Sequence, residues 1–333
     1  MLKKEVYKDY DADKKVLENK IVSVIGYGIQ GRAQALNLRD SGLNTIIGNI
    51  EDEYYEKAQQ DGFSVYSIKE AIKLSDVTLF LIPDGSHKNY IDKILFNLFK
   101  ENSLLIFAHG YSLRFESLNL PKNIDIAMLA PRYPGKQIRE SYLNGSGVPA
   151  FIDVFQDHTD QALLKLVTIG GHIGFGKAGM IPISYSQEAE IDLFIEQFMA
   201  PVFYASIENA MDLLSEKGYP KILSCLELYY SGEVGAVRTQ MGRYGLYEGL
   251  KMSASPTCKF GIANSVDKVF SKEFRTFMES QLENIRSGQF AKKLNEEEKL
   301  GYPKVKEFFN KRENNIIIKS EKQIDQIINK PKI

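Results

Sequence analysis

Apolar positions along this chain change their period once, and the change divides it. From Ile21 to about Gly179, short apolar runs alternate with polar stretches whose apolar residues recur every three or four positions. The runs at 21–25, 44–47, 77–82, 103–107, 126–130 and 150–154 are short and mainly apolar, which predicts buried strands. The stretches at 32–41, 53–61, 68–74 and 90–100 read as helices, the first stopped by Gly42. Such alternation predicts an α/β N-terminal domain, a Rossmann-like doubly wound parallel sheet covered on both faces. Beyond about residue 184 the strand signal fades. Residues 187–217 carry Leu193, Phe194, Phe198, Met199, Phe203, Ile207, Met211 and Leu214 at helical spacing. Stretches 219–232, 272–286 and 302–312 read the same way. The organisation predicted is this α/β domain over 1–183 and an all-α C-terminal domain over 184–333. From about residue 311 the chain is polar and rich in lysine and asparagine, which predicts a loosely held tail.

The first strand runs straight into Gly26-Tyr27-Gly28-Ile29-Gln30-Gly31, a G-x-G-x-x-G sequence. In a dinucleotide-binding turn Gly26 permits the tight bend, Gly28 lets a pyrophosphate approach the backbone, and Gly31 lets the helix pack close to the strand. The phosphates would sit on the unpaired amides at the positive helix end. The second strand ends in Gly48-Asn49-Ile50-Glu51-Asp52-Glu53. Acids such as Glu51 and Asp52 accept hydrogen bonds from ribose hydroxyls and repel a 2′-phosphate, and no basic residue precedes Lys57. This favours NAD(H) over NADP(H). The same acids could equally form a solvated loop.

Ligands in open α/β sheets bind beyond the carboxyl ends of the strands. His109 follows the strand at 103–107, and Arg132 follows the strand at 126–130. The histidine suits a proton carrier or ligand, and the guanidinium suits a substrate carboxylate. A capped histidine and a surface arginine are the bland alternatives. Farther on, Asp192 and Glu196 are four apart among the apolar Leu193, Phe194 and Ile195. Two carboxylates on one face of a buried helix need a cation, and hard oxygen donors suit Mg²⁺. Glu227 and Ser231 repeat the spacing on a second apolar helix. Solvated faces are the alternative for both pairs.

Composition narrows the classes. With 333 residues, 44% hydrophobic and 26% charged, the chain suits a two-domain globular protein. A net charge of -1 argues against a nucleic-acid binder. Two cysteines without a C-x-x-C pair exclude a disulfide framework and suit a reducing cytoplasm. No apolar run approaches the ~18 residues of a membrane span, and the N-terminus lacks the apolar core of a signal peptide.

Taken together, the motifs resemble ketol-acid reductoisomerase in its short, bacterial-type form, across nearly the whole chain. They are Val6-Tyr7-Lys8-Asp9-Tyr10-Asp11-Ala12-Asp13, the glycine-rich turn, Asn37-Leu38-Arg39-Asp40-Ser41-Gly42, Leu81-Ile82-Pro83-Asp84 and Phe107-Ala108-His109-Gly110. Ala130-Pro131-Arg132-Tyr133-Pro134-Gly135, Gly147-Val148-Pro149-Ala150, Asp192-Leu193-Phe194-Ile195-Glu196-Gln197 and Ser287-Gly288-Gln289-Phe290-Ala291 continue the series. The resemblance implies reduction and rearrangement of acetohydroxy acids in branched-chain amino-acid biosynthesis, with NAD(P)H and one or two Mg²⁺ ions. It implies that Asp192 bridges the metals, that Glu196 and Glu227 bind metal, and that Ser255 contacts the substrate carboxylate. His109 and Arg132 would join them in catalysis. Tyr27, Gln30, Pro83, Asp84 and Gly135 would join Gly26, Gly28, Gly31, Asn49, Glu51 and Asp52 around the dinucleotide. Its helical domains would pair, giving a homodimer or a multiple of dimers.

Three departures stand out. The family has lysine where Arg132 stands, and arginine does not share its proton as lysine does. It has a second metal-site glutamate where Ser231 stands, so one metal should bind weakly or not at all. The cofactor loop is acidic, which NADH-preferring members of the family would tolerate. The stretch 229–252 also fits the family poorly, and Glu233 is not at the i+4 spacing that would replace the missing carboxylate. These departures keep a second reading beside the full reaction, a reductase for another 2-keto acid or an imine that has lost the rearrangement. A non-catalytic nucleotide-binding protein is the third.

Overall fold

The computed structural model describes residues 4–269 and 271–327. Two compact units divide the chain, Met1–Ile191 and Asp192–Ile333. The first holds a sheet of strands β1 (Ile21–Ile25), β2 (Asn44–Gly48), β3 (Val65–Tyr66), β4 (Val77–Phe80), β5 (Leu104–Phe107), β6 (Asp125–Pro131), β7 (Ala150–Gln156) and β8 (Met180–Pro182). Their order is β3-β2-β1-β4-β5-β6-β7-β8. The strand order reverses beside β1, which lies between β2 and β4. That reversal opens the crevice in which such folds bind a dinucleotide.

Alternate residues of each strand feed separate cores on the two faces. Leu79, Leu104 and Ile106 join one with the helix Ile29–Asp40, while Phe80, Leu105 and Phe107 join the other with Ile68–Leu74. This is the doubly wound arrangement expected.

The sheet differs from the expectation in one strand. β7 runs antiparallel to β6, with Pro131 opposite Ala150, and β8 then runs parallel to β7. The return follows the helix Gly135–Leu143 through Gly145 and Gly147, both at positive φ. Half of β7 is only partly covered, the pattern of a strand near an edge. Antiparallel pairing brings the loop before Ala150 to the same edge as the end of β6, where the Arg132 amide donates to Pro149 O at 3.0 Å. β3 and β8, two and three residues long, are too short to stand out as strands in the sequence.

Helix starts also shift. The first helix begins at Ile29, inside the glycine-rich sequence, because the Arg32 amide already donates to Gly28 O. The helix expected at 90–100 begins at Asp84, and a π turn, Ile91–Leu95, follows it.

Within Asp192–Ile333 helices predominate, and no helix among the described residues is long and apolar enough to cross a membrane. The supposed tail is a helix, Ile316–Ile327, not a loose segment. Ile316, Ser320 and Ile324 share a face at i, i+4 and i+8, and Ile324 packs fully buried with Met211 and Cys225. Residues 1–3 of the N-terminus and 328–333 of the tail lie outside the described residues.

Candidate active site

The glycine-rich turn is built by close backbone approach. Gly26 has φ +92°, and a Cβ there would stand 2.9 Å from Leu81 O. A Cβ on Gly31 would stand 1.9 Å from Gly26 O but 3.5 Å from the Val24 side chain. Its glycine therefore answers first to the turn's own carbonyl and only second to the strand. At Gly28 a Cβ would meet nothing within 4 Å, so this backbone faces open space. Gly135 belongs to a neighbouring turn and needs its missing Cβ because Ile29 O would lie 1.9 Å away. Gln30 ties the two turns, its Nε2 donating to Tyr133 O at 3.0 Å.

Several side chains proposed for the dinucleotide hold this turn in shape. Tyr27 is 1% exposed, and its hydroxyl donates to Asp61 Oδ2 at 3.0 Å. Burial, then the hydrogen bond to Asp61, raises its phenol well above the ordinary range. Asp61 in turn accepts from Arg32 Nε at 2.6 Å and pairs with Lys57. The Arg32 hydrogen bond leads the causes that hold its carboxyl at about 2. Asn49 accepts from the Tyr27 amide at 3.3 Å and donates to Asp52 Oδ1 at 2.7 Å. Asp52 caps the helix Glu53–Gln60 by accepting from the Tyr54 and Tyr55 amides. Glu51 is exposed.

At the ends of β4, β5 and β6 a second cluster forms. Pro83 precedes the helix Asp84–Tyr90, which puts Asp84 in its first turn. His109 Nδ1 lies 3.1 Å from Asp84 Oδ2, and its Nε2 lies 3.7 Å from Glu188 Oε2. Burial pushes the Asp84 carboxyl up, yet the hydrogen bond and charge of His109 hold it below its usual value. His87 fixes the turn from behind. Its Nε2 donates to Ile82 O at 2.9 Å, so Nδ1 accepts from the Ser112 hydroxyl at 2.8 Å. Burial lowers its pKa and keeps it neutral.

Glu188 lies in the first turn of the helix Tyr185–Phe194 and has no exposure. Arg132 Nη2 donates to its Oε1 at 2.7 Å, and the Gly110 amide donates to its Oε2 at 2.7 Å. Gly110 must be glycine, because a Cβ would stand 2.0 Å from Tyr185 O. The Arg132 guanidinium also stacks 4.8 Å from the centre of the Phe151 ring. Arg132 is thus held by a buried carboxylate and an aromatic face. Sequence reasoning passed over Glu188, although Glu188, Asp192 and Glu196 form a run at i, i+4 and i+8.

The helical unit holds the remaining candidates. Asp192 lies in the helix Tyr185–Phe194, half-buried, but Glu196 is exposed in a π turn, Ile195–Met199. The helix is not buried throughout, since Leu193 is covered while Ile191 is 49% exposed. Glu227 holds the same second place in another π turn, Leu226–Tyr230, and is exposed. π turns cluster at functional sites. The Ser231 amide donates to Leu226 O, five residues back, and Gly232 follows at φ +86°. Glu227 and Ser231 therefore do not form an i, i+4 pair on one regular helix, because the wider turn intervenes and the helix ends there. Glu233 opens the next helix, exposed. Ser255 precedes the helix Pro256–Val269, and its hydroxyl oxygen accepts from the Cys258 amide at 3.2 Å.

Comparison with known proteins agrees with this architecture. Residues 16–179 match the family model for the acetohydroxy acid isomeroreductase NADPH-binding domain, and 185–330 match that for the ketol-acid reductoisomerase C-terminal domain. Ketol-acid reductoisomerase (NADP(+)) of Pyrobaculum calidifontis is 36% identical over 317 residues, 94% of this chain and 95% of its own length. The enzyme of the same name from Pyrobaculum aerophilum is 38% identical over 306 residues, 91% and 92% of the two chains. A solved NADH-preferring ketol-acid reductoisomerase from an uncultured archean superposes with a TM-score of 0.92 at 28% identity, covering 98% of this chain and 100% of that one. The chain belongs to the ketol-acid reductoisomerase family and is an NAD(P)H-dependent oxidoreductase.

Proposed function

We propose that this chain rearranges and then reduces a small acetohydroxy acid, prefers NADH, and binds Mg²⁺ through Asp192, Glu196 and Glu227. The observation that carries the reading is the buried Glu188, gripped by Arg132 and the Gly110 amide beside His109. The three metal-site candidates are all carboxylates, a hard-oxygen set suited to Mg²⁺. When bound, Mg²⁺ supplies Lewis acidity at the substrate's adjacent oxygens and the nicotinamide supplies a hydride.

The chain's own groups do the positioning. Asp84 accepts from His109 Nδ1–H, which leaves Nε2 as the atom that gives or takes a proton. Arg132 balances Glu188 while keeping its own proton, so it stands outside any proton relay. The Ser255 oxygen caps its helix, and its hydroxyl proton remains available to a substrate carboxylate. Glu51 is the exposed acid that suits a ribose hydroxyl and opposes a 2′-phosphate. The NADH-preferring archaeal relative supports that preference, whereas the Pyrobaculum relatives carry NADP(+) in their names.

The same reading places the domain boundary near 183/184, in the gap between the two family matches, and the enzyme in a reducing cytoplasm. It also makes the working form a homodimer or a multiple of one. The helix Pro256–Val269 buries none of its residues, and Phe260 is 73% exposed.

The test is oxidation of NADH and NADPH by the purified protein, with and without Mg²⁺. It compares 2-acetolactate with 3-hydroxy-3-methyl-2-oxobutyrate, which needs reduction only. Mg²⁺-dependent turnover of both, with the lower KM for NADH, is expected. Turnover of the second compound alone would reduce the function to that of a reductase.

A further inference from the structure

We propose that the C-terminal helix Ile316–Ile327 is a strut that fixes the π turn Leu226–Tyr230, and through it the direction in which Glu227 is presented. The proposal rests on the reading of Glu227 as a metal ligand. It makes Tyr229 and Glu321 positioning residues for Mg²⁺, although neither is a ligand.

A π turn is an uncommon geometry that persists where its surroundings hold it. This one follows a single short helix, Lys221–Cys225, and stops at Ser231, so its own length supplies little support. Two consecutive tyrosines anchor it to the C-terminal helix. The Tyr229 hydroxyl donates to Glu321, and the Tyr230 hydroxyl donates to Asp325 Oδ1 at 2.9 Å. Glu321 and Asp325 are four apart, so both acceptors stand on one helix face. Cys225 adds a weak bond, its Sγ 3.6 Å from the Tyr229 hydroxyl. Beneath these contacts Met211, Cys225 and Ile324 are fully buried against one another.

The grip has a geometric consequence. Relaxing a π turn to α geometry removes a one-residue offset, and one residue is about 100° of helix. Glu227 stands two residues before Tyr229 and is exposed while the tyrosines are half-buried. The anchored tyrosines therefore set which way its carboxylate points.

Mg²⁺ binding by calorimetry and NADH binding by fluorescence on the full-length protein test this, with folding checked by circular dichroism. Glu321→Ala and Tyr229→Phe should each weaken Mg²⁺ binding roughly fivefold or more, as expected for losing an orienting hydrogen bond. NADH binding should not change. Glu321→Gln should retain Mg²⁺ affinity, because its amide oxygen still accepts from Tyr229. Folded Glu321→Ala with wild-type Mg²⁺ affinity would overturn the proposal, even if its melting temperature fell. Asp192→Ala and Glu227→Gln separate the two levels. If they lose Mg²⁺ binding while Glu321→Ala keeps it, the strut alone fails. If they too keep it, the metal reading fails and takes the strut with it.

Discussion

Glu188 has no exposure, and a buried carboxylate of this kind is tolerable only where its charge is met. Arg132 and the Gly110 amide meet it at 2.7 Å each. A lysine here would be a point charge able to give up its proton, whereas a guanidinium stays charged and planar, which also suits its stack on Phe151. Beneath the cofactor turn Asp61 plays the corresponding part, gathering Tyr27, Arg32 and Lys57. Its carboxyl lies at about 2, below the ordinary 3.8, so it binds its proton less readily folded than unfolded. The stability it contributes is present above pH ~4 and is lost as pH falls toward 2. Asp61→Asn should lower stability at neutral pH and flatten the acid limb of a denaturation-midpoint profile measured from pH 2 to 7. An acid limb as steep as wild type would contradict this role.

Two glycines of one turn serve the element in different ways. At Gly31 an added methyl meets Gly26 O at 1.9 Å, so the turn and helix must move apart. At Gly28 the same methyl meets nothing in the protein. Gly31→Ala should therefore cost stability outright, on the order of 1–3 kcal/mol for overpacking. Gly28→Ala should melt within a few degrees of wild type yet bind NADH at least tenfold more weakly, as its methyl occupies the path of a pyrophosphate. Thermal melts with dinucleotide titrations read both. Equal melting losses in the two variants would remove the distinction.

For the whole molecule, the unburied apolar surface of the helical unit is the telling quantity. Phe260, Val266 and Val269 are exposed along one helix, and Phe308 and Phe309 along another, Pro303–Arg312. Large apolar side chains left exposed on two helices are surface that a partner copy would cover. Light scattering should find dimers or their multiples in the wild type, and Phe260→Glu with Val266→Glu should shift them to monomers. A wild-type monomer at micromolar concentration would rule out a partner copy on this surface.

The sequence alone determined the parallel core strands, the glycine-rich turn and the helical second half. Each follows from local chemistry, because buried strands must be apolar runs and a tight turn must be glycine. It also brought His109 and Arg132 to strand ends, where such folds bind ligands. Tertiary structure decided the rest. The direction of β7 depends on the turn at Gly145 and Gly147 and on which edge is open. The polar composition after residue 311 concealed a face of Ile316, Ser320 and Ile324 that only docking makes meaningful. The link from Glu188 to Gly110 spans 78 positions along the chain, and the link from Tyr229 to Glu321 spans 92. Glu188 shares a four-residue spacing with Asp192 and Glu196, but nothing local shows which acid of that run is buried, and nothing local sets Glu321 apart from a solvated acid, because both roles are set by neighbours that only folding supplies.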